Sequence, residues 1–228
     1  FIFGKLYEGH AYARDIIGYA EDLKNPKLRK LIDFYNTWYV PNNMALILVG
    51  DFDIEAIKPL IEKTFGKLQA RPLPERTKYP TTAFAQDERY SAKLGYMPEL
   101  YIAYNGVPVG DKDELLLDFL GEILSNSMQI GLLDELTLDN KLMYAGAAND
   151  VRRDQGRFLV IAVPYMDAET QTYTSLKETE KLVNEAIQQL VNGDISEELV
   201  EAVRQNFYQE FDRTMEYPEM KVQLLQNA

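Results

Sequence analysis

The strand-like runs in this sequence come in neighbouring pairs. Arg89 to Leu94 and Leu100 to Tyr104 are separated by little more than Gly95-Tyr96-Met97-Pro98. Met143 to Ala148 and Phe158 to Val163 are joined by the polar stretch Asp150-Val151-Arg152-Arg153-Asp154-Gln155-Gly156. Antiparallel neighbours can be linked by a turn, whereas parallel strands need a crossover of a dozen or more residues, usually a helix. Read along the whole chain, the order is helix, strand, helix, linker, two strands, two helices, two strands, two helices. That order predicts an α+β fold with antiparallel pairing over a doubly wound parallel sheet.

The helices announce themselves by spacing and caps. Asn25-Pro26 offers a cap and a proline at the first helical position, and Leu28, Leu31, Ile32 and Tyr35 then recur on one face until Pro41-Asn42-Asn43. The apolar run Met44 to Val49, ended by Gly50-Asp51, predicts a buried strand. Asp53 caps IEAIKPLIEKTF, closed by Gly66, and Pro59 inside it predicts a kink or a later start. Residues 69–82 hold three prolines and little apolar material, which predicts an extended linker. Beyond it, Asp111-Lys112-Asp113-Glu114 opens a helix with acids suited to the dipole, and a shorter helix runs from Gly131 to Leu138. Ser175 to Val191 is long and amphipathic, and Ser196-Glu197-Glu198-Leu199 caps another to about Thr214. Residues 1–68 supply one strand only and read as the tail of one unit. The pattern starts anew after residue 82.

Composition narrows the chemistry. Among 228 residues there is one histidine and no cysteine, so the chain holds no zinc site built on two or three histidines and no thiol chemistry. The formal net charge of −12 argues against a nucleic-acid partner, whose phosphates repel an acidic surface. No apolar run approaches the ~18 residues of a membrane span, and no signal peptide is expected. The chain opens Phe1-Ile2-Phe3 without a methionine, so it is expected to be a mature product or an excised fragment.

Few residues suggest a reaction. His10, in Glu8-Gly9-His10-Ala11-Tyr12, can be read as a base or ligand or as a loop histidine satisfied by hydrogen bonds, and the second reading is favoured. Asp111, Asp113 and Glu114 fail the spacing of a calcium loop and fit a helix start. Asp150, Arg152, Arg153 and Asp154 read as a solvated turn ahead of a ligand site. No phosphate-binding glycine pattern and no nucleophile elbow occurs. Residues alone give an acidic α+β domain pair without a visible catalytic constellation.

One stretch is more specific. Gly9-His10-Ala11-Tyr12, Ile17-Gly18, Glu21-Asp22-Leu23, Phe34-Tyr35, Tyr39-Val40-Pro41-Asn42-Asn43-Met44, Val49-Gly50-Asp51-Phe52-Asp53 and Phe65-Gly66 follow one another in an order that resembles the pitrilysin/insulinase family of zinc metallopeptidases. Leu124 to Leu136 resembles that family's L-G-x-x-x-S-x-L-x-x-x-L segment, Leu142-Met143-Tyr144 its L-A-Y, and Gly156-Arg157-Phe158 its G-x-F strand start.

The resemblance implies a mainly antiparallel sheet covered by helices on one face, repeated in the parent protein, as in processing peptidases. Residues 1–68 would be the C-terminal part of one repeat, 69–82 the linker, and 83–228 the N-terminal part of the following, non-zinc repeat. It also implies a zinc cofactor in the parent, held by an H-x-x-E-H helix that lies upstream of the matching segment. His10 matches a non-ligand histidine, so no metal ligand and no catalytic residue is expected in this chain, which alone would be inactive. Tyr144 matches a substrate-facing tyrosine, while the arginine that accompanies it in active members aligns with Thr137, which cannot make its bidentate contact.

The implied role is a non-zinc segment of a metalloendopeptidase that hydrolyses peptides, contributing substrate binding and chamber wall. The alternative within the fold is a non-catalytic peptide-binding or assembly subunit. Partners would be a peptide substrate and the remaining repeats or a homologous subunit, and the bacterial periplasm or cell envelope the compartment. Outside the family, the alternative is a generic α+β interaction domain. A fold in which residues 26–66 do not pack helix–strand–helix against a sheet would favour it.

Overall fold

A computed structural model describes residues 1–227. The chain divides into two compact units, Phe1–Pro80 together with residues from Phe211 onward, and Thr81–Glu210. The division falls inside the proline-containing stretch 69–82.

The first unit is helical. It contains α1 (Ile2–Leu6), a 3-10 turn at Ala11–Ala13, α2 (Ala20–Leu23), α3 (Leu28–Trp38), a second 3-10 turn at Pro41–Asn43 and α4 (Ile54–Phe65). The α3 helix opens at Leu28 without a side-chain cap, so Asn25 does not take the capping role its position suggests. The α4 cap forms as expected, with Asp53 Oδ1 accepting from the Ala56 amide at 2.8 Å. The helix runs through Pro59 from Ile54 without a break. The proline removes only the N–H that would have reached the Glu55 carbonyl.

Two polar side chains hold the linker to this unit. Asn42 accepts from the Arg71 amide at 3.2 Å and donates to the Arg71 carbonyl at 2.9 Å, imitating a strand neighbour. Asn43 Oδ1 accepts from the Arg76 guanidinium at 3.1 Å.

Met44 to Val49 is not a strand. A helix satisfies its own backbone, but a strand takes its hydrogen bonds from another strand. No strand exists among the described residues of this unit, so the run stays extended and unpaired, with Leu46 and Leu48 exposed. The apolar face of α3 is exposed for the same reason: Leu31, Ile32 and Tyr35 find no sheet to cover.

The second unit is α+β. Its elements are β1 (Leu100–Asn105), α5 (Glu114–Leu124), α6 (Leu132–Leu138), β2 (Leu142–Asp150), β3 (Arg157–Pro164), a small hairpin of β4 (Met166–Asp167) and β5 (Thr172–Tyr173), α7 (Leu176–Asn192) and α8 (Glu197–Glu216) as far as Glu210; the end of α8 and α9 (Pro218–Asn227) are counted with the first unit. Arg89 to Leu94 forms no ladder, contrary to the strand expected there. Arg89 is fixed instead by a fork of bonds to Glu180 on α7, at 2.6 and 2.7 Å.

The three long strands form an antiparallel sheet in the order β1-β3-β2. Alternation along them sends Ala145, Phe158, Val160 and Ala162 to one face, where α5, α6 and α7 bring Leu124, Leu133 and Val183. Full burial of a side chain such as Val160 is worth about 1.5–3 kcal/mol, which makes this face the main source of stability. The α7 helix is bounded as its sequence dictates: Ser175 Oγ accepts from the Glu178 amide at 3.2 Å, and Gly193 closes it at φ 75°.

The start of the unit is tied to the sheet by a charged group inside it. Arg157, only 1% exposed, donates to the Thr82 carbonyl and lies 4.5 Å beneath the ring of Phe84. Gln155, also buried, accepts from the Thr82 amide at 2.9 Å. Asn105 holds Phe84 by both backbone groups.

Candidate functional site on the open face of the sheet

The face of the sheet away from α5, α6 and α7 is set by the other half of the alternation. Tyr101, Ile161 and Gly146 stand in one cross-strand row, from β1 through β3 to β2. Tyr144, two residues before Gly146, shares that face, next to a register irregularity between Leu142 and Tyr144. Its phenol leans forward along β2: a Cβ on Gly146 would stand 2.7 Å from the hydroxyl oxygen and 3.6 Å from Ser125 Oγ. Glycine is therefore what lets the ring lie flat. Tyr144 is 53% exposed and Tyr101 37%.

Glu99 and Tyr101 are also two residues apart and lie on the same side. The Tyr101 hydroxyl donates to Glu99 Oε2 at 2.9 Å. Burial, then the hydrogen bond to Glu99 and its charge, with a smaller contribution from Tyr144, push the Tyr101 hydroxyl above its ordinary value. The result is two phenol rings and one carboxylate on the same side of the sheet. Such a surface can stack, accept hydrogen bonds and attract a cation; it contains no nucleophile paired with a base.

Tyr144 is therefore presented to solvent on the open face, whereas Thr137 offers nothing to it. Thr137 Oγ1 donates to the Asp134 carbonyl in its own helix at 2.7 Å. Gly146, Tyr101 and Glu99 join Tyr144 only through strand register, which the sequence does not display.

The other candidates are structural. His10 is 5% exposed, with Nδ1 accepting from the Tyr12 amide at 3.2 Å and its ring against Tyr12 and Tyr79. Asp111 Oδ1 accepts from the Asp113 amide, and Glu114 accepts from the Gly110 amide, so these acids are spent on the turn that leads into α5. Arg152 is bound by both oxygens of Asp150 within the hairpin turn. Among the described residues, no group of three or more His, Cys, Asp or Glu is arranged to hold a metal ion. A zinc centre does not fit the residues of this chain.

An antiparallel sheet with helices on one face and an open aromatic face defines a unit of α+β type. Residues 27–207 match the Peptidase M16 inactive domain family, and the chain belongs to that family. This membership stands although Met44 to Val49 does not form the strand that would have separated it from a generic interaction domain.

The chain is 25% identical over 168 residues to the zinc protease PqqE of Helicobacter pylori, a match covering 70% of this chain and 37% of that protein. Its fold is similar to that of a protease from Helicobacter pylori, with TM-score 0.78 and 22% identity, over 96% of this chain and 53% of the other. It is also similar to the periplasmic protease PqqL from Escherichia coli, with TM-score 0.66 and 19% identity, over 98% of this chain and 25% of that one. The chain thus spans little more than a third of the first of these proteins and about half of the second.

Proposed function

We propose that this chain is the non-zinc segment of a zinc-dependent metalloendopeptidase, and that it holds extended peptide against the open face of its sheet. Residues 1–68 act as the C-terminal part of one repeat, 69–82 as linker, and 83–228 as the N-terminal part of the next. Zinc and the water it activates are supplied by other residues of the parent protein. A bacterial periplasmic or envelope setting is in keeping with the periplasmic PqqL.

The observation that carries this reading is the exposed Tyr144 phenol laid over Gly146, on a sheet whose opposite face is covered by α5, α6 and α7. A tyrosine needed for packing would be buried; this one is half open and offers a rigid ring and a hydroxyl.

Kinetics of the intact protein test it. Tyr144→Ala should raise KM for a peptide substrate about 5-fold, in the range of a lost aromatic contact, while bound zinc is unchanged. Unaltered peptide kinetics and binding in that variant would remove Tyr144 from the site. An intact protein that binds peptide through Tyr144 yet hydrolyses none when loaded with zinc would instead be the non-catalytic assembly subunit.

A further inference from the structure

We propose that Tyr101, Tyr144 and Glu99 together select a basic side chain, lysine or arginine, in a peptide lying on the open face; this rests on the peptide-binding reading above. The two rings are exposed, and a cation over a phenol face within about 6 Å of the centroid is attracted by the ring quadrupole. Glu99 supplies the formal charge. One of its oxygens accepts from Tyr101, while Oε1 has no hydrogen-bond partner among the described residues. The bond from Tyr101 orients the carboxylate, so an incoming cation meets a group already held in place.

The surrounding field has the same sign. Residues 81–210 carry 23 acidic and 10 basic side chains. Several of those bases are already engaged: Arg157 is buried, and Arg89, Arg152 and Arg204 are paired with Glu180, Asp150 and Glu201. An acidic peptide would be repelled on approach and a basic one drawn in. The geometry also makes the specificity local, because Glu99 is bonded to Tyr101, which stands in the row that holds Gly146, the residue over which the Tyr144 phenol leans.

The test uses the intact protein with a metal chelator present, so that binding and not cleavage is read. Labelled extended peptides identical except for one position, carrying lysine, arginine, norleucine or glutamate, are titrated by fluorescence anisotropy. The basic peptides should bind about 10-fold more tightly than the norleucine peptide, and this preference should weaken as salt is raised. Glu99→Gln keeps an acceptor for Tyr101 but removes the charge, and should reduce the preference to about 2-fold. Glu99→Lys should abolish it.

Equal binding of the lysine and norleucine peptides, or a preference untouched by Glu99→Gln, would overturn this inference and leave the peptide-binding role standing. Absence of binding by every peptide would overturn both.

Discussion

Arg157 and Thr82, 75 positions apart in sequence, are joined by the Arg157 guanidinium, which donates to both the Thr82 carbonyl and its hydroxyl. The same guanidinium also donates to the Gly156 carbonyl at 3.0 Å, and Phe84 covers it. A buried arginine is tolerable only when its donors are matched and its charge is covered. Arg157→Met is therefore expected to destabilise the protein by about 2–4 kcal/mol, because buried acceptors lose their partner. Arg157→Lys should recover only part of this, since a point ammonium cannot reproduce the fork. Urea midpoints of the three proteins give the answer, and a midpoint unchanged in Arg157→Met would refute the anchoring role.

Two glycines in the same unit should respond differently to alanine. At Gly131 a Cβ would stand 2.5 Å from the Leu124 carbonyl oxygen, and the backbone there has nowhere to go. Gly131→Ala should cost about 2–3 kcal/mol. At Gly146 the nearest obstacle is the far end of the Tyr144 side chain, which can swing away. Gly146→Ala should change stability by less than about 1 kcal/mol yet weaken peptide binding, by lifting the ring off the strand. Thermal melts and anisotropy on both variants separate the two effects.

Glu122 gives a pH signature. Burial, and then the charges of Asp134, Glu210 and Asp118, hold its carboxyl above the ordinary carboxylate range. A carboxyl with a raised folded-state pKa binds its proton more tightly in the folded protein. Its contribution is therefore fully present at acid pH, below the unfolded value, and is lost as pH rises through the folded one. Glu122→Gln should raise the urea midpoint at pH 7, and the gain should vanish below about pH 4. A gain that persists in acid would point to packing instead of charge.

The linker clamp makes a prediction about proteolysis. Asn42 bonds both backbone groups of Arg71 from a position 29 residues away. Asn42→Ala should release that backbone, so trypsin should cut after the neighbouring Lys67 several-fold faster, the Arg71–Pro72 bond itself resisting trypsin, while helix content by circular dichroism stays the same. An unchanged cleavage rate would mean that the segment is held by other contacts.

What could be read from the sequence follows from where each element finds its hydrogen bonds. Leu28, Leu31, Ile32 and Tyr35 mark α3 correctly because a helix is satisfied internally, and Asp53 and Ser175 mark caps that lie within a few residues of their partners. Met44 to Val49 and Arg89 to Leu94 have strand-like composition too, but composition cannot supply a neighbouring strand. Phe158 to Val163 has two, and forms. The hairpin of β4 and β5 has no apolar pattern to mark it and turns on one side chain: Asp167 accepts from the Thr170 amide and hydroxyl and from the Glu169 amide, which holds its carboxyl below the usual range. At the site, Tyr144 was legible through family resemblance. Glu99, Tyr101 and Gly146 were not, since they meet it across strands.

The strand order has a consequence for how the chain assembles. The central strand, β3, is the last of the three to emerge from synthesis, and its two neighbours lie at very different distances along the chain. Closing the β2–β3 hairpin across residues 151–156 orders a short loop, whereas β1 must span both intervening helices to reach the same partner. The hairpin is thus the natural nucleus. Until β1 docks, one edge of β3 remains open to strands from other molecules, so aggregation during refolding should depend more steeply on protein concentration for variants that weaken β1 than for those that weaken β2.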